Sequence, residues 1–315
     1  MMSDLFVSVL FSSYNGASRR LRHTLDSLVC QELPRDRWEL IAVDNNSNDG
    51  TFDLLKSYSD KLPITILQQR KPGKSGALNL ALDRVKGDLV VFTDDDVRAE
   101  PNWLKAIVDC AAAHPGYGVF GGRIVPDWEK EPKDPFIEWI PMGSTFAIVD
   151  ETQSGPCDPT KVWGPNTIIR RELLGTSVRY REDIGPLPGK IFAMGEDAEI
   201  IIRLAANGAK SYRCAEAVVH HWIPASSVTE DWVQKRGERL GYGMPALFPD
   251  EVPGGVRLSG VPLPTWIESA QWAFRAAMLY LLPQSKKRFW AIWKYYYMRG
   301  YRAGIRRYAP QTLAR

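Results

Sequence analysis

A strand pattern that runs directly into three aspartates constrains this chain more than any other stretch. Residues 89–93 are apolar and β-branched, which predicts a buried strand, and Asp94, Asp95 and Asp96 follow at once. Three carboxylates beside a core need a cationic partner, because an unpaired buried charge is costly. Carboxylate oxygens are the ligands that Mg²⁺ and Mn²⁺ prefer. The stretch predicts a metal that carries a phosphate, and the alternative is an acidic loop that caps the helix near Pro101.

Strand and helix patterns alternate through the first part of the chain. The predicted strands are residues 6–12, 40–43, 64–67 and 89–93, and a helical pattern follows each of them, the last at 101–113. This alternation predicts a largely parallel sheet that helices cover on both faces. The carboxyl ends of parallel strands meet at one edge, so Tyr14, Asp44, residues 73–75 and the aspartates should gather there. That edge is where a nucleotide site is expected.

Two common nucleotide-binding loops are missing from the positions where they would be expected. The first strand is not followed by G-x-G-x-x-G, which disfavours a dinucleotide-binding Rossmann domain. Residues 73–76 (Gly-Lys-Ser-Gly) have the composition of a phosphate loop but lack the spacing of G-x-x-x-x-G-K-[ST]. A kinase or ATPase of the P-loop class is therefore also disfavoured.

The composition is that of an ordinary soluble globular protein, with an uneven distribution of charge. Of 315 residues, 44% are hydrophobic and 24% are charged, and the net charge is +3. Residues 265–315 contain ten Lys or Arg and one acid, Glu268, so this tail carries +9 and the preceding 264 residues carry −6. A basic, aromatic tail on an acidic body indicates a separate partner for the tail.

The spacing of the cysteines and the sequence of the amino terminus indicate the cellular compartment in which the protein works. The four cysteines contain no C-x-x-C pair, so we expect neither a zinc site nor a disulfide framework. No secretory signal pattern begins the chain, and no run approaches the eighteen or so apolar residues that a spanning helix needs. These features predict a cytoplasmic protein, in a reducing environment, that works in part at the cytoplasmic face of a membrane.

Several motifs in order resemble those of family 2 glycosyltransferases. They are residues 7–16, the turn 43–51 (Val-Asp-Asn-Asn-Ser-Asn-Asp-Gly-Thr), the helix start 76–79 (Gly-Ala-Leu-Asn) and the triple aspartate. The similarity extends over about residues 5–245. It implies an α/β protein of the GT-A fold, with a Rossmann-like, mixed and mostly parallel sheet flanked by helices. To this the tail would add a C-terminal helical extension.

The resemblance assigns a donor side to the first half of the chain. The residues expected to bind the nucleotide sugar are Ser13, Tyr14, Asn15, Asp44, Lys74, Asn79, Asp94 and Asp95. Among them, Asp44 would contact the base and the backbone near Tyr14 would hold the nucleoside. Lys74 is either a phosphate contact or a solvated loop lysine. Asp94 and Asp96 resemble the D-x-D pair, with Asp96 preferred as the direct metal ligand, whereas Asp95 receives no specific role.

The second half carries the expected acceptor side and base. Residues 119–125 and 162–170 read as strands around a Pro- and Trp-rich loop at 126–141, and glycine inside a strand marks either a ligand approach or a bulge. By resemblance, Gly164 and Asn166 lie on the acceptor side. Glu196 and Asp197 are either an ordinary acidic helix start or the acidic pair that supplies the catalytic base, with Asp197 in the base position.

Two adjacent histidines follow a predicted strand at 217–219. In the family, a histidine at this point completes the metal or pyrophosphate site, and the following Ile-Pro pair favours His221 over His220 by a narrow margin. A metal site of Asp94, Asp96 and His221 suits Mn²⁺ better than Mg²⁺, although either divalent cation is expected to serve as cofactor.

Beyond residue 228 the chain is predicted to be helical, with breaks. One helix should close at Gly241 and Gly243, which ends the catalytic domain at residues 1–245 (nucleotide-sugar half 1–125, acceptor half 126–245). Residues 246–264 would be a linker. Helical stretches at 266–282 and 286–307 mix basic and aromatic residues, which is typical of an interfacial membrane anchor over residues 265–307. The alternative is a helical hairpin packed on the catalytic domain, and nucleic-acid binding is disfavoured because no known module accompanies the pattern.

Together these features predict a transferase that moves a sugar from a UDP- or GDP-type nucleotide-diphosphate sugar to an acceptor hydroxyl. The reaction is expected to be metal-dependent and inverting, in polysaccharide, glycan or glycolipid synthesis, with a glycan or lipid-linked acceptor. One alternative is a sugar nucleotidyltransferase, which would need a glycine-rich, arginine-containing loop that residues 12–17 do not provide. Another is a protein that binds nucleotide sugars without transfer.

Overall fold

The computed structural model describes residues 4–187 and 192–309 and separates into two compact units. The first unit comprises Met1–Asp127, Phe146–Glu182 and Asp197–Trp222. The second unit comprises Trp128–Thr145, Asp183–Glu196 and Ile223–Arg315. No helix within the described ranges combines the length and the apolar character that crossing a bilayer requires.

The first part of the chain alternates strands and helices. Its elements are β1 (Val7–Ser13), α1 (Leu21–Val29), β2 (Trp38–Asp44), α2 (Thr51–Lys56), β3 (Ile64–Gln68), α3 (Lys74–Leu82), β4 (Leu89–Phe92), β5 (Val97–Ala99) and α4 (Trp103–Ala113). The four strands that the sequence predicts here are confirmed to within two residues at each end. The three-residue strand β5 was not predicted, because so short a segment leaves no periodic signal.

The second part is less regular. Its elements are β6 (Val119–Trp128), α5 (Met142–Phe146), β7 (Gly155–Pro156), β8 (Thr167–Arg170), α6 (Arg171–Leu174), α7 (Glu196–Ala206), β9 (Ser211–Ile223), α8 (Glu230–Leu247), β10 (Arg257–Leu258), β11 (Val261–Pro262), α9 (Leu263–Tyr280) and α10 (Lys286–Tyr308). Short 3₁₀ turns lie between them at Arg35–Arg37, Pro135–Trp139, Pro159–Lys161, Gly164–Asn166, Ala225–Ser227 and Pro249–Glu251.

Within the described residues, one mixed sheet organises the first unit, with strand order β3-β2-β1-β4-β8-β6-β9-β5 and β7 added on β9. β1 pairs in parallel with β2 and β4, and β2 pairs in parallel with β3. β8 then runs antiparallel to β4 and β6, and β5 runs antiparallel to β9. Apolar residues from β1, β2 and β4 pack against α3 and α7 in one core. The predicted mixed, mostly parallel sheet with flanking helices is confirmed.

Four local predictions differ from the structure. Residues 162–170 are not one strand: a 3₁₀ turn at Gly164–Asn166 precedes the short strand β8. The strand predicted at 217–219 is the long β9, which contains both histidines. The 126–141 segment is not only loop, because β6 continues to Trp128 and a 3₁₀ turn forms at Pro135–Trp139.

The fourth wrong prediction is the helix end at Gly241 and Gly243, since both glycines lie inside α8. A Cβ at Gly241 would overlap the backbone carbonyl of Tyr297 on α10, and one at Gly243 would overlap the carbonyl of Met194. Glycine is needed here so that backbones can approach closely, and not to stop the helix. The segment 246–264 contains the hairpin β10–β11 and the first residues of α9.

A disulfide joins Cys110 on α4 to Cys214 on β9, across a separation of 104 residues. Cys30 and Cys157 are free thiols. The expectation of no disulfide is wrong for this pair, because sequence spacing cannot reveal that a helix and a distant strand lie side by side. The covalent link closes a loop that includes the second half of the sheet.

Candidate functional site

Parallel pairing brings the predicted polar residues of the first half to one edge of the sheet. In the β1–β2 ladder, Ser13 lies opposite Asp44, and in the β1–β4 ladder Leu10 lies opposite Phe92. The aspartates therefore emerge beside the ends of β1 and β2. This is the crevice beyond the carboxyl ends of the strands where α/β sheets bind ligands.

Asp94, Asp96 and His221 form a group that could hold a metal ion. One ligand atom from each lies within 4.8 Å of those of the other two. The short strand β5 produces this proximity, because it follows Asp96 directly and pairs with β9 so that Val97 lies opposite His221. A histidine 125 or so positions further along the chain is thereby brought to the D-x-D pair.

The orientation of His221 is set by its backbone partner. Its Nδ1 donates a hydrogen bond to the carbonyl oxygen of Phe146 at 2.7 Å, which leaves Nε2 3.5 Å from Asp96 Oδ1. A second hydrogen bond of this kind is typical of metal-ligating histidines. Burial lowers the pKa of His221, but the negative charge of Asp96 outweighs burial and the pKa is raised.

Asp96 carries an unsatisfied buried oxygen. Within the described ranges, Oδ1 has no hydrogen-bond partner although it is inaccessible to solvent. Burial raises the pKa of Asp96, but the charges of His221, Arg19 and Lys74 act against burial and hold the pKa below its ordinary value. An ionised, buried oxygen whose nearest donor, His221 Nε2, is 3.5 Å away can accept a closer cation. Two carboxylates and one imidazole fit Mn²⁺ or Mg²⁺.

Lys74 connects the candidate metal group to the candidate base. Its Nζ lies 2.9 Å from Asp94 Oδ1 and 3.5 Å from Asp197 Oδ2. The side chain is only 16% exposed, so Lys74 is not a solvated loop lysine. One cation thus holds two carboxylates that are more than a hundred residues apart in the sequence.

Gly164 makes room for the Asp197 carboxylate. A Cβ built at Gly164 would overlap Asp197 Oδ2, so an alanine there would displace the carboxylate. Gly164 opens the 3₁₀ turn before β8, and Asp197 lies in the first turn of α7. Glu196 belongs to the second unit, where it is buried and its charge acts on Arg236. The predicted acidic pair is therefore divided between two environments.

Asp95, which sequence reasoning could not place, ties the end of β4 to the end of β1. Its Oδ2 accepts a hydrogen bond from Ser13 Oγ and lies 3.4 Å from an Arg19 nitrogen. Its backbone carbonyl accepts from Thr24 Oγ1 at 3.0 Å. Burial, with the neighbouring charge of Asp96, raises the pKa of Asp95 to about 7. Asp95 therefore stabilises the strand ends next to the candidate site through its contacts with Ser13, Thr24 and Arg19.

The turn after β2 supports the loop after β1. Asn15 Oδ1 accepts from the Asn48 amide at 2.9 Å, and Thr51 Oγ1 accepts from the Gly16 amide at 2.9 Å. Asp44 is buried at the end of β2, where Oδ1 accepts from the Ser47 amide at 3.1 Å. Tyr14 remains 38% exposed beside these contacts.

Sequence reasoning missed one residue of this support, Arg19, and gave no separate role to Thr51, the last residue of the 43–51 motif. Arg19 donates to the Tyr14 carbonyl at 2.7 Å and approaches Asp95 from the solvent side. Thr51 was visible in the sequence as the residue after Asp49-Gly50 at a helix start. Nothing in the local pattern distinguishes Arg19 from the arginines beside it.

Two predicted residues, Asn79 and Asn166, and the alternative histidine, His220, make their hydrogen bonds within the protein and do not join the cluster. Asn79 exchanges two hydrogen bonds with the backbone of Tyr180, at 2.9 and 2.8 Å. Asn166 is fully buried, where it accepts from Trp103 Nε1 and donates to the carbonyl oxygens of Arg123 and Ala217. His220 Nε2 pairs with Glu100 Oε1 at 2.6 Å, so the structure places His221, and not His220, beside Asp96.

The fold and this arrangement are compatible with a transferase, and comparison with known sequences identifies the class. A family model described as Glycosyl transferase family 2 matches residues 8–176, more than half of the chain. The chain therefore belongs to glycosyl transferase family 2. The predicted family is confirmed, as is the assignment to the transferases.

Two relatives are archaeal proteins of Haloferax volcanii. The glucosyl-dolichyl phosphate glucuronosyltransferase is 24% identical over 77% of this chain and 78% of the relative. Glycosyltransferase AglE is 29% identical over 38% of this chain, and the match spans only 39% of AglE.

Two solved structures share the fold. The mannosyltransferase PcManGT from Pyrobaculum calidifontis, in complex with GDP-Man and Mn²⁺, has a TM-score of 0.58 at 21% identity, over 94% of this chain and 86% of that one. Residues 1–349 of S. aureus TarS, in complex with UDP-GlcNAc, have a TM-score of 0.56 at 18% identity, over 94% of this chain and 90% of that one. At such identities the likeness shows the GT-A fold alone.

Proposed function

We propose that this protein transfers a sugar from a UDP- or GDP-type nucleotide-diphosphate sugar to an acceptor hydroxyl with the help of a divalent cation. One observation carries the proposal: the group Asp94, Asp96 and His221 has an unsatisfied buried oxygen and is linked through Lys74 to Asp197. A diphosphate-bound cation and a base beside it are the two requirements of the reaction. Family membership and the nucleotide-sugar complexes of the two structural relatives support it.

Asp94, Asp96 and His221 would hold the cation, with Mn²⁺ favoured by the imidazole ligand. When bound, the cation supplies Lewis-acid stabilisation of the charge that develops on the departing nucleoside diphosphate. His221 is oriented for this role by Phe146, and Asp96 already has a pKa below its ordinary value. Asp96 is thus held in the ionised form that a cation needs, whereas the His221 ring, whose raised pKa favours the protonated form, must release its Nε2 proton when the cation binds.

Asp197 would remove the proton from the acceptor hydroxyl as that oxygen attacks the sugar carbon. Lys74 fixes the carboxylate on one side, and the missing side chain of Gly164 leaves it room on the other. A fixed carboxylate within hydrogen-bond reach of the acceptor is the requirement for general base catalysis. A single displacement with such a base inverts the configuration of the anomeric carbon.

The nucleoside would lie along the ends of β1 and β2. The Asp44 carboxylate would contact the base, and the backbone around Tyr14 and Asn15, which the Asn48 and Thr51 hydrogen bonds hold, would receive the ribose. The acceptor proposal is broader: a glycan or a lipid-linked sugar, made for a polysaccharide, glycan or glycolipid at the cytoplasmic face of a membrane. The name of the dolichyl phosphate relative is consistent with the lipid-linked form.

A donor panel tests the proposal. The full chain is incubated with UDP- and GDP-sugars and a mixture of glycan and lipid-linked acceptors, with Mn²⁺ or with EDTA, and release of the nucleoside diphosphate is measured. We expect release from one donor class, which depends on Mn²⁺ and is stimulated by the acceptor. The NMR signal of the anomeric proton in the product should show that the configuration of the anomeric carbon is inverted. Metal-independent release would refute the cation, and binding without any turnover would favour a non-catalytic nucleotide-sugar-binding protein.

A further inference from the structure

The distribution of buried and exposed residues on helix α9 is the opposite of that on an ordinary amphipathic helix. The residues of α9 that are buried inside the second unit are small or polar: Thr265, Ser269 and Ala276. Large apolar residues of the same helix lie on the outside. Amphipathic helices of globular proteins normally bury their apolar stripe and expose the polar one. The inversion indicates that the outer face has a partner of its own.

The exposed apolar residues lie in one stripe. Phe274 is 67% exposed, Met278 62% and Leu281 89%, and their spacing of four and three residues places them on one side of the helix axis. Ile267 extends the stripe at 52% exposure, and Leu282, just beyond the end of α9, is 51% exposed. Single exposed apolar residues are common on protein surfaces, whereas a continuous stripe marks an interaction site.

Positive charge flanks the stripe. A cavity of about 330 Å³ between α9 and the start of α10 has apolar walls that include Trp272 and Trp290, and Arg275, Lys286 and Lys287 also line it. Lys286 and Lys287 are exposed. The Arg275 guanidinium stacks 4.8 Å from the Trp272 ring centroid, so the long basic side chains lie along apolar surface. Glu268 is the one acid that the sequence has from residue 265 to the end.

The last helix, by contrast, is not the apolar contact surface that the sequence suggests. The aromatic face of α10 is largely inside, with Phe289 fully buried and Trp293 6% exposed. Gly237 and Gly241 of α8 allow this face to pack closely, since a Cβ at either would meet Trp293 or the Tyr297 backbone. Within residues 265–307, for which membrane contact was predicted, the exposed apolar surface therefore lies on α9.

We propose that the outer face of α9, together with the basic start of α10, docks on the surface of an anionic lipid bilayer. The apolar stripe would enter the region between headgroups and acyl chains, and Arg275, Lys286 and Lys287 would contact lipid phosphates. Charge complementarity selects this occupant over a second copy of the chain. Two copies joined through this face would bring their like charges together. The proposal is independent of sugar transfer, because it concerns only where the protein binds.

Vesicle flotation tests the proposal with the full chain. Wild-type protein is mixed with phosphatidylcholine vesicles, with or without phosphatidylglycerol, and the bound fraction is measured. We expect binding that depends on the anionic lipid and weakens as salt is raised. The triple variant Phe274→Ser, Met278→Ser, Leu281→Ser should bind about tenfold less tightly or worse, because the buried apolar area is lost.

Matched variants distinguish the effect of the outer face of α9 from the general effects of lower hydrophobicity or lower positive charge. Val29→Ser removes an exposed apolar residue of the first unit and should bind like wild type. Lys286→Glu with Lys287→Glu should reduce binding, whereas Lys130→Glu with Lys133→Glu, an equal change of net charge at other exposed lysines, should reduce it less. Circular dichroism verifies that each variant is folded.

Four results would overturn the proposal. These are no binding of wild-type protein to anionic vesicles, equal binding to neutral ones, full binding by the triple variant, and a wild-type dimer that the triple variant converts to monomer. The last result would assign the face to a second copy of this chain.

Discussion

The strand-end edge of the first unit and the outer face of α9 in the second unit depart from ordinary burial in opposite directions. At the edge, Lys74, Asp94, Asp96 and Asp197 are charged but each side chain is less than a quarter exposed. On α9, Phe274, Met278 and Leu281 are apolar but more than half exposed. Both arrangements cost free energy in the isolated chain. The partners proposed above, a cation with a diphosphate for one region and a lipid surface for the other, would each offset this cost.

The contacts inside each of the two units also differ in kind. In the first, side chains bond to distant backbone, as Asn166 does, and a disulfide joins α4 to β9. In the second, α8 and α10 pack through glycines: a Cβ at Gly300 would overlap the Glu238 carbonyl, and one at Gly304 would overlap that of Tyr242. Substitutions in the first unit should therefore act mainly on function, and substitutions in the glycine seam mainly on stability.

The largest effect is expected for Asp197→Asn. The asparagine side chain cannot take up the proton of the acceptor hydroxyl, so turnover should fall about 10³-fold, within the usual range for loss of a general base. Nucleotide affinity should change by only a few fold, because the donor side is intact. Steady-state rates and calorimetric binding together check this split.

Asp109→Asn is the matched control, since Asp109 is a half-exposed carboxylate paired with Lys105 on α4. It should leave turnover unchanged. Retained turnover in Asp197→Asn, or an equal loss in Asp109→Asn, would remove Asp197 from the role of base.

Gly164→Ala should be the next most damaging change to activity. Its Cβ would displace the Asp197 carboxylate, and displacement of a reacting group by about 1 Å can cost on the order of 10²-fold in rate. Gly116→Ala, where a Cβ meets nothing within 4 Å, is the control. Equal rates for the two variants would show that the position of Asp197 does not matter, provided that both retain the wild-type melting temperature.

Gly241→Ala should act on stability. The new Cβ meets the backbone of α10, which cannot move aside as a flexible side chain could, so we expect a loss of about 1–3 kcal/mol in the free energy of unfolding. Gly254→Ala, in open space, should cost much less. Urea denaturation of both variants measures the difference, and an unchanged midpoint for Gly241→Ala would contradict close packing of α8 on α10.

The smallest expected effect is on thiol chemistry. Native protein should present two free thiols, with Cys30 reacting quickly and Cys157 slowly, because burial raises the pKa of Cys157 and so reduces its thiolate fraction at neutral pH. The rate for Cys157 should rise with pH over a range above that of an ordinary thiol. Four reactive thiols without prior reduction would contradict the disulfide.

The sequence predicted the parts of the fold that local pattern determines. β1, β2 and β4 are short runs of apolar and β-branched residues, and α9 and α10 were placed with ends within three residues of those observed. The proximity of Asp94, Asp96 and His221 was available only through family resemblance. No periodicity in the chain relates a triple aspartate to a histidine that the three-residue strand β5 brings beside it.

The remaining features depend on tertiary contacts that one sequence does not display. Gly241 reads as a helix end until the backbone of α10 is seen against it. Asn166 reads as a ligand contact until Trp103 and two carbonyl oxygens are found to use its amide. The direction of an apolar face cannot be read from composition either, which is why membrane contact was predicted for the whole of residues 265–307 and not for one face of α9.

The most direct test of the metal site is calorimetric titration of UDP and GDP into wild-type protein, Asp96→Ala and His220→Ala, each with and without Mn²⁺. Wild-type protein and His220→Ala should bind one nucleotide far more tightly with Mn²⁺, since His220 pairs with Glu100 away from the group. Asp96→Ala should lose that dependence. Equal Mn²⁺-dependent affinity in Asp96→Ala and wild type would contradict the proposed site.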